Sequence, residues 1–156
     1  MIATQLEPTC HVCGVPADSS YFDDSSIAEA PRAGAEVVLA RFELHANYCG
    51  VLRYFAQYTN AYAASPVDVE TPDLEWHIRS DGRPLAPWLT FRRIINPWGL
   101  LGFPIDVRLE EGSLTELVVR NVASGGVLFA SSAVPVTRVG GRLLGRYWYN
   151  TAFGGR

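Results

Sequence analysis

Lysine is absent from this chain of 156 residues, and all 13 basic residues are arginine. The absence removes the commonest guard of exposed strand edges and is compatible with edges covered in an assembly. Arginine, planar and weakly hydrated, suits packed interfaces from which lysine is depleted. A GC-rich coding bias would leave the same mark. Long apolar runs are missing too: none reaches about 18 residues, so no helix of the chain spans a membrane. Excess positive charge is missing, since the net charge is −3. That argues against a nucleic-acid binder held by phosphate charge. Met1–Thr9 carries neither a basic start nor an apolar stretch, so no classical signal peptide is expected. No window of about 11 residues keeps a helical period. No fixed-period repeat suggests a solenoid or propeller.

What is present is enough for one core. With 48% apolar and 19% charged residues the composition is globular. A chain of this size buries about two-thirds of its unfolded surface without metal or disulfide. Residues 1–34 stand apart. From Val15 to Gly34 the sequence is small, polar and acidic, with Pro16 and Pro31 and no apolar rhythm. It reads as an extended N-terminal arm, with Tyr21 and Phe22 as its candidate anchors on a partner.

From residue 35 to 156 a two-residue rhythm takes over. In Glu36–Ala46, Val38, Ala40, Phe42, Leu44 and Ala46 share one expected face, opposite Arg41, Glu43 and His45. Gly50 then interrupts, and Val51–Tyr58 reads as a second strand. Leu74, Trp76 and Ile78 alternate with Glu75, His77 and Arg79, and Asp81-Gly82 follows as a hairpin turn. Trp88–Ile95 is the expected return strand, and Asn96-Pro97-Trp98-Gly99 is a turn. Phe103–Leu109 and Leu114–Asn121 alternate on either side of Glu111-Gly112-Ser113. Val127–Val136 is a weaker strand. Gly140-Gly141 precedes a last strand, Arg142–Tyr149. About seven or eight short strands of this spacing predict an all-β fold, an antiparallel sandwich or jelly roll.

Residues that carry chemistry are few. Cys10-His11-Val12-Cys13-Gly14 is half of a zinc knuckle, making Cys10 and Cys13 candidate metal ligands. His45 and Cys49 are the available third and fourth ligands. On one straight strand they would stand about 13 Å apart, too far for one ion with bonds of about 2.0–2.3 Å. A bulge at Asn47 or Gly50 would be needed to bring them together. A disulfide within the pair or to Cys49 is another open reading, plain reduced thiols are the simplest one, and no cofactor other than such a zinc is expected. His77 reads as part of a solvated strand face more readily than as a general base beside Glu75 or Asp81. Asp23-Asp24 and Glu110-Glu111 are adjacent carboxylates, which usually point apart and not across a cleft. No Gly-x-Ser-x-Gly elbow is present, and neither Gly125-Gly126 nor Gly140-Gly141 leads into the lysine or helix of a phosphate loop. No catalytic motif emerges. Trp98, in a Pro-Gly turn, suits local packing, a protein interface or a sugar contact. Arg92 and Arg93 point to opposite faces of one strand and are candidate interface residues.

The run from Leu74 to Tyr149 contains LEWHIRSDGRPL, NPWG, FPIDVRLEEGSLTELVVRN and VGGRLLGRYWY. In this order of hairpins and closing aromatic strand it resembles the small β-sandwich virion proteins of tailed phages, which decorate heads or belong to tails. The resemblance covers about half of the chain and rests on turns and strands. It implies a non-enzymatic structural protein of the virion, assembled in the host cytoplasm. Its partners would be copies of itself and a capsid or tail, with neither nucleic acid nor membrane. A carbohydrate- or ligand-binding module is the alternative.

Overall fold

The computed structural model describes residues 15–59, 69–70, 74–85, 93–94, 102–122 and 137–150. Its strands are β1 (Ser20–Glu29), β2 (Glu36–Glu43), β3 (Tyr48–Thr59), β4 (Val69–Glu70), β5 (Leu74–Ser80), β6 (Arg83–Pro84), β7 (Arg93–Ile94), β8 (Phe103–Leu109), β9 (Leu114–Asn121) and β10 (Arg138–Tyr149). There is no helix among the described residues. Two four-stranded sheets form, β1-β10-β3-β8 and β2-β9-β5-β6, with β4 and β7 as a separate pair. Every pairing is antiparallel. Phe22, Leu52, Phe55, Ile105, Leu109, Val139 and Leu143 of the first sheet join Leu39, Ala40, Leu74, Trp76, Ile78, Leu117 and Val119 of the second in one buried cluster. The fold is therefore all-β and sandwich-like, with apolar side chains of both sheets sharing one interior. From β1 to β10 each main strand lies in the opposite sheet from the one before it, except that β6 pairs with β5 as a hairpin.

The turn forms where the sequence placed it, and its return strand is Arg83–Pro84, paired with Arg79 and Ser80, in place of the expected Trp88–Ile95. Asp81 has φ 49° and Gly82 φ 76°, the paired positive values of a turn that matches strand twist. Asp81 also ties the hairpin to β9. Its amide donates to the Leu114 carbonyl and its Oδ1 accepts from the Leu114 amide, each at 2.9 Å. Leu74, Trp76 and Ile78 are fully buried, as their alternation demands.

Four expectations are corrected. First, β2 does not keep Val38 with Ala40. Its register to β9 shifts between Val38 and Ala40, a bulge that inserts Leu39 and moves the buried phase by one. Leu39 and Ala40 are buried while Val38 is exposed. Second, the chain breaks at Ala46-Asn47, where Asn47 takes φ 67°, and not at Gly50, which lies buried inside β3. His45 and Cys49 consequently do not share a strand. A bulge at Arg53 interrupts β3 against both neighbours, so inward positions pass from Gly50 and Leu52 to Phe55 and Gln57.

Third, Gly140-Gly141 is no turn before the last strand. β10 begins at Arg138 and runs through both, at the centre of its sheet. A Cβ at Gly141 would come within 2.6 Å of Leu117, and one at Gly145 within 2.3 Å of the Val51 carbonyl and 2.5 Å of the Phe22 ring. Absent side chains let the opposite sheet and the Phe22 ring close on this strand.

Fourth, residues 20–29 are not an arm lying free of the domain. All ten pair in register with β10, and Phe22 is buried, its ring stacked 3.8 Å from that of Phe42. β1 hides its rhythm because it closes the side of the sandwich. Its Asp24 Oδ2 accepts from the Arg41 amide at 2.7 Å, and its Ser26 hydroxyl donates to the Leu39 carbonyl at 2.5 Å. These polar side chains satisfy backbone groups at the bulged edge of β2. Residues 1–14, the expected strand Val127–Val136, and Trp88–Ile95 apart from residues 93–94 lie outside the described residues.

Candidate binding face

The two sheets turn different faces outward. On the second sheet, cross-strand neighbours run Glu36, Arg120, Glu75 in one row and Arg41, Glu116, Arg79 in another. Between them lies the row Val38, Val118, His77. Arg79 donates from Nε to Glu116 at 2.7 Å and from Nη1 to Glu36 at 2.8 Å. Both carboxylates hold the Arg79 guanidinium more firmly protonated than usual, Glu36 first. His77 Nε2 stands 3.8 Å from Glu75 Oε2. Opposite charges alternate across and along the strands, so this face neutralises itself.

The first sheet is different. Its outward rows are Tyr21, Arg146, Val51, Arg108; then Asp23, Leu144, Tyr54, Pro104; then Ser25, Arg142, Ala56; then Ile27, Gly140, Tyr58. Tyr21 is 70% exposed, Ile27 62% and Tyr58 46%. Isolated exposed apolar residues are ordinary, but here three stand on one sheet face. A depression of about 470 Å³ lies between Ile27 and Tyr58 over Gly140. A second, of about 320 Å³, is lined by Tyr21, Arg53, Tyr54, Leu144, Gly145 and Arg146.

Two cation–carboxylate pairs close within this face. Arg142 grips Asp23 with Nε to Oδ1 at 2.7 Å and Nη2 to Oδ2 at 2.5 Å. That bond, ahead of the partial burial opposing it, holds the Asp23 carboxyl below the usual range. Arg53 reaches Asp106 at 2.5 Å. Arg146 meets no carboxylate among the described residues. Its Nη2 donates to the Ser19 carbonyl at 3.3 Å, and its guanidinium lies 4.7 Å from the Tyr21 ring centroid.

The expected site residues separate on this structure. Tyr21 is on the exposed face, whereas Phe22 points into the core and offers a partner no surface. Neighbouring strand residues must face opposite ways. Arg93 lies in β7, paired with Glu70. Trp98, Arg92, Cys10 and Cys13 lie outside the described residues. No group of three or more metal-ligating side chains occurs among the described residues. Cys49 is a free thiol, and burial pushes it above its ordinary range, with Arg108 opposing more weakly. A raised thiol is a poor nucleophile. The adjacent acids point apart: Asp23 faces Arg142 while Asp24 turns to β2.

Sequence reasoning passed over Ile27 and Arg146. Ile27 sat in the supposed arm, and the bulge at Arg53 concealed which tyrosines face outward. In comparisons with family models, curated proteins and solved structures, no match to the chain was found.

Proposed function

We propose that the protein is a jelly roll with a structural role, a non-enzymatic assembly component of a virion that decorates a capsid or belongs to a tail. One observation carries this reading. The strand order β1-β10-β3-β8 opposite β2-β9-β5-β6, entered by strands that keep changing sheet, is what two interleaved Greek keys produce, and eight-stranded jelly rolls of this kind build capsid and lectin domains. Fold does not fix function, so the outward faces must supply the rest. The second sheet's face is neutralised within the chain. The first sheet's face offers Ile27, Tyr58 and the depression between them, and is the surface on which copies of the chain or a larger lattice would dock.

Native mass spectrometry tests the reading. The expected result is a defined oligomer whose mass is a multiple of the chain's own. A protein that stays monomeric at every concentration, alone and with purified particles, would remove it.

A carbohydrate-binding module is the second reading, favoured by the depression walled by Tyr21 and Tyr54. Tyrosine rings offer apolar faces with a polar tip, suited to sugars. A glycan array blank for the intact protein would remove this reading and leave the first untouched.

A further inference from the structure

The depression around Arg146 points to a particular ligand chemistry. On this sheet face, Arg142 and Arg53 spend their charge on Asp23 and Asp106. Arg146 has no carboxylate partner among the described residues. One of its five N–H donors goes to the Ser19 carbonyl. Its Nε is shielded from solvent and has no hydrogen-bond partner at all. A cation that has lost part of its water without gaining a counter-charge is poorly compensated, and an arriving anion restores the balance. The guanidinium is also held in place. Tyr21 stacks on its face and Ser19 fixes one edge, so little side-chain freedom is lost when a ligand binds.

The surroundings narrow the class. Tyr21, Tyr54 and Leu144 line the depression with ring faces and an aliphatic wall. Its volume of about 320 Å³ is at the small end of ligand sites, which run from about 300 to 1,000 Å³, and suits one ring more than an extended chain. A planar guanidinium recognises a carboxylate by paired hydrogen bonds. We infer that this depression binds a sugar ring bearing a carboxylate, of the uronic or sialic acid class. Arg146 takes the carboxylate, and Tyr21 and Tyr54 flank the ring. The inference rests on the carbohydrate reading and gives it a site and a charge. It is independent of docking at Ile27 and Tyr58, six residues along β1 from Tyr21, or about 20 Å of strand.

The test is binding of the full chain to immobilised glycans ending in uronic or sialic acids, beside the same glycans with the carboxylate reduced to an alcohol. Binding to the acids is expected, with at least tenfold loss on the reduced glycans and on Arg146→Gln. Arg146→Lys should retain part of the affinity, because charge survives without the planar fork. Tyr21→Ala, at an exposed position that folding does not need, should weaken binding comparably. Trp98→Ala should change nothing. Equal binding of acid and reduced glycans, or wild-type binding by Arg146→Gln, overturns the inference. Binding to neutral glycans alone, lost in Trp98→Ala, overturns it while the carbohydrate reading stands. No binding to any glycan removes both.

Discussion

The outward faces of the two sheets solve the same problem in opposite ways. On the second sheet, rows of alternating sign cross β2, β9 and β5, and Arg79 bridges Glu116 and Glu36. On the first, the centre is a glycine-bearing strand, and Tyr21, Ile27 and Tyr58 stand exposed around depressions. A face whose charges are matched within the chain gives a partner little to complete. A face with exposed rings and a half-buried guanidinium, Arg146, that meets no carboxylate among the described residues offers both area and an unmatched group. Function should therefore be sought on the first sheet, and changes there should separate binding from stability.

The largest stability effect is expected at the glycines that shape that first sheet. Gly145→Ala places a Cβ 2.3 Å from the Val51 carbonyl, so β10 must shift or Phe22 must leave its stack on Phe42. A loss on the order of 3 kcal/mol, read from urea unfolding, is expected for such overpacking. A neutral result would mean that the Val51 carbonyl of β3 and the Phe22 ring of β1 do not crowd β10 as closely as described.

Next comes the ion-paired face. Glu116→Ala strips Arg79 of its 2.7 Å partner while leaving Glu36. Because both side chains are largely covered, the cost should exceed that of a surface pair and reach about 1.5 kcal/mol. If Glu116→Ala proved as mild as an exposed substitution, the contrast between the faces would weaken.

A smaller effect belongs to the pair on the first sheet. Arg142 and Asp23 are 33% and 44% exposed, so solvent screens them, and Asp23→Asn should cost less than about 0.5 kcal/mol. Its pH dependence is the sharper reading. The Asp23 carboxyl is held below its ordinary value, so its contribution is complete above the unfolded value of about 3.9 and is lost as pH falls through the lowered folded value. Wild type and Asp23→Asn should differ at neutral pH and converge in acid. A gap that widens on acidification would contradict the pairing.

Much of the second sheet was legible in the residues. Leu74, Trp76 and Ile78 alternate without interruption, and Asp81-Gly82 supplies a turn that few other dipeptides can. The phase of Leu114–Asn121 was equally plain, as was that of Phe103–Leu109 in the first sheet. What stayed hidden has a common cause. In β2, Val37, Val38, Leu39 and Ala40 are all apolar, so nothing marks the residue at which the bulge changes phase. β1 answers to its neighbour's backbone, which calls for Asp24 and Ser26 where a core-facing strand would carry apolar groups. Gly140-Gly141 looks like a turn because its other use, close approach at a sheet centre, depends on partners far along the chain. The same holds for the site. Tyr21 can be picked out as a residue, but the standing of Arg146 comes from which carboxylates its neighbours on β1 and β3 do not provide, and that is set by register.

The least stability change and the largest change in association are expected together. Ile27→Asp combined with Tyr58→Asp alters two exposed positions, so folding stability should move by no more than about 0.5 kcal/mol for each. Sedimentation velocity of wild type beside this variant tests the central claim that the first sheet's outward face is where the protein docks. The account predicts a wild-type oligomer of fixed size and a folded, monomeric variant. Identical sedimentation of the two proteins, whether both monomeric or both oligomeric, would contradict it.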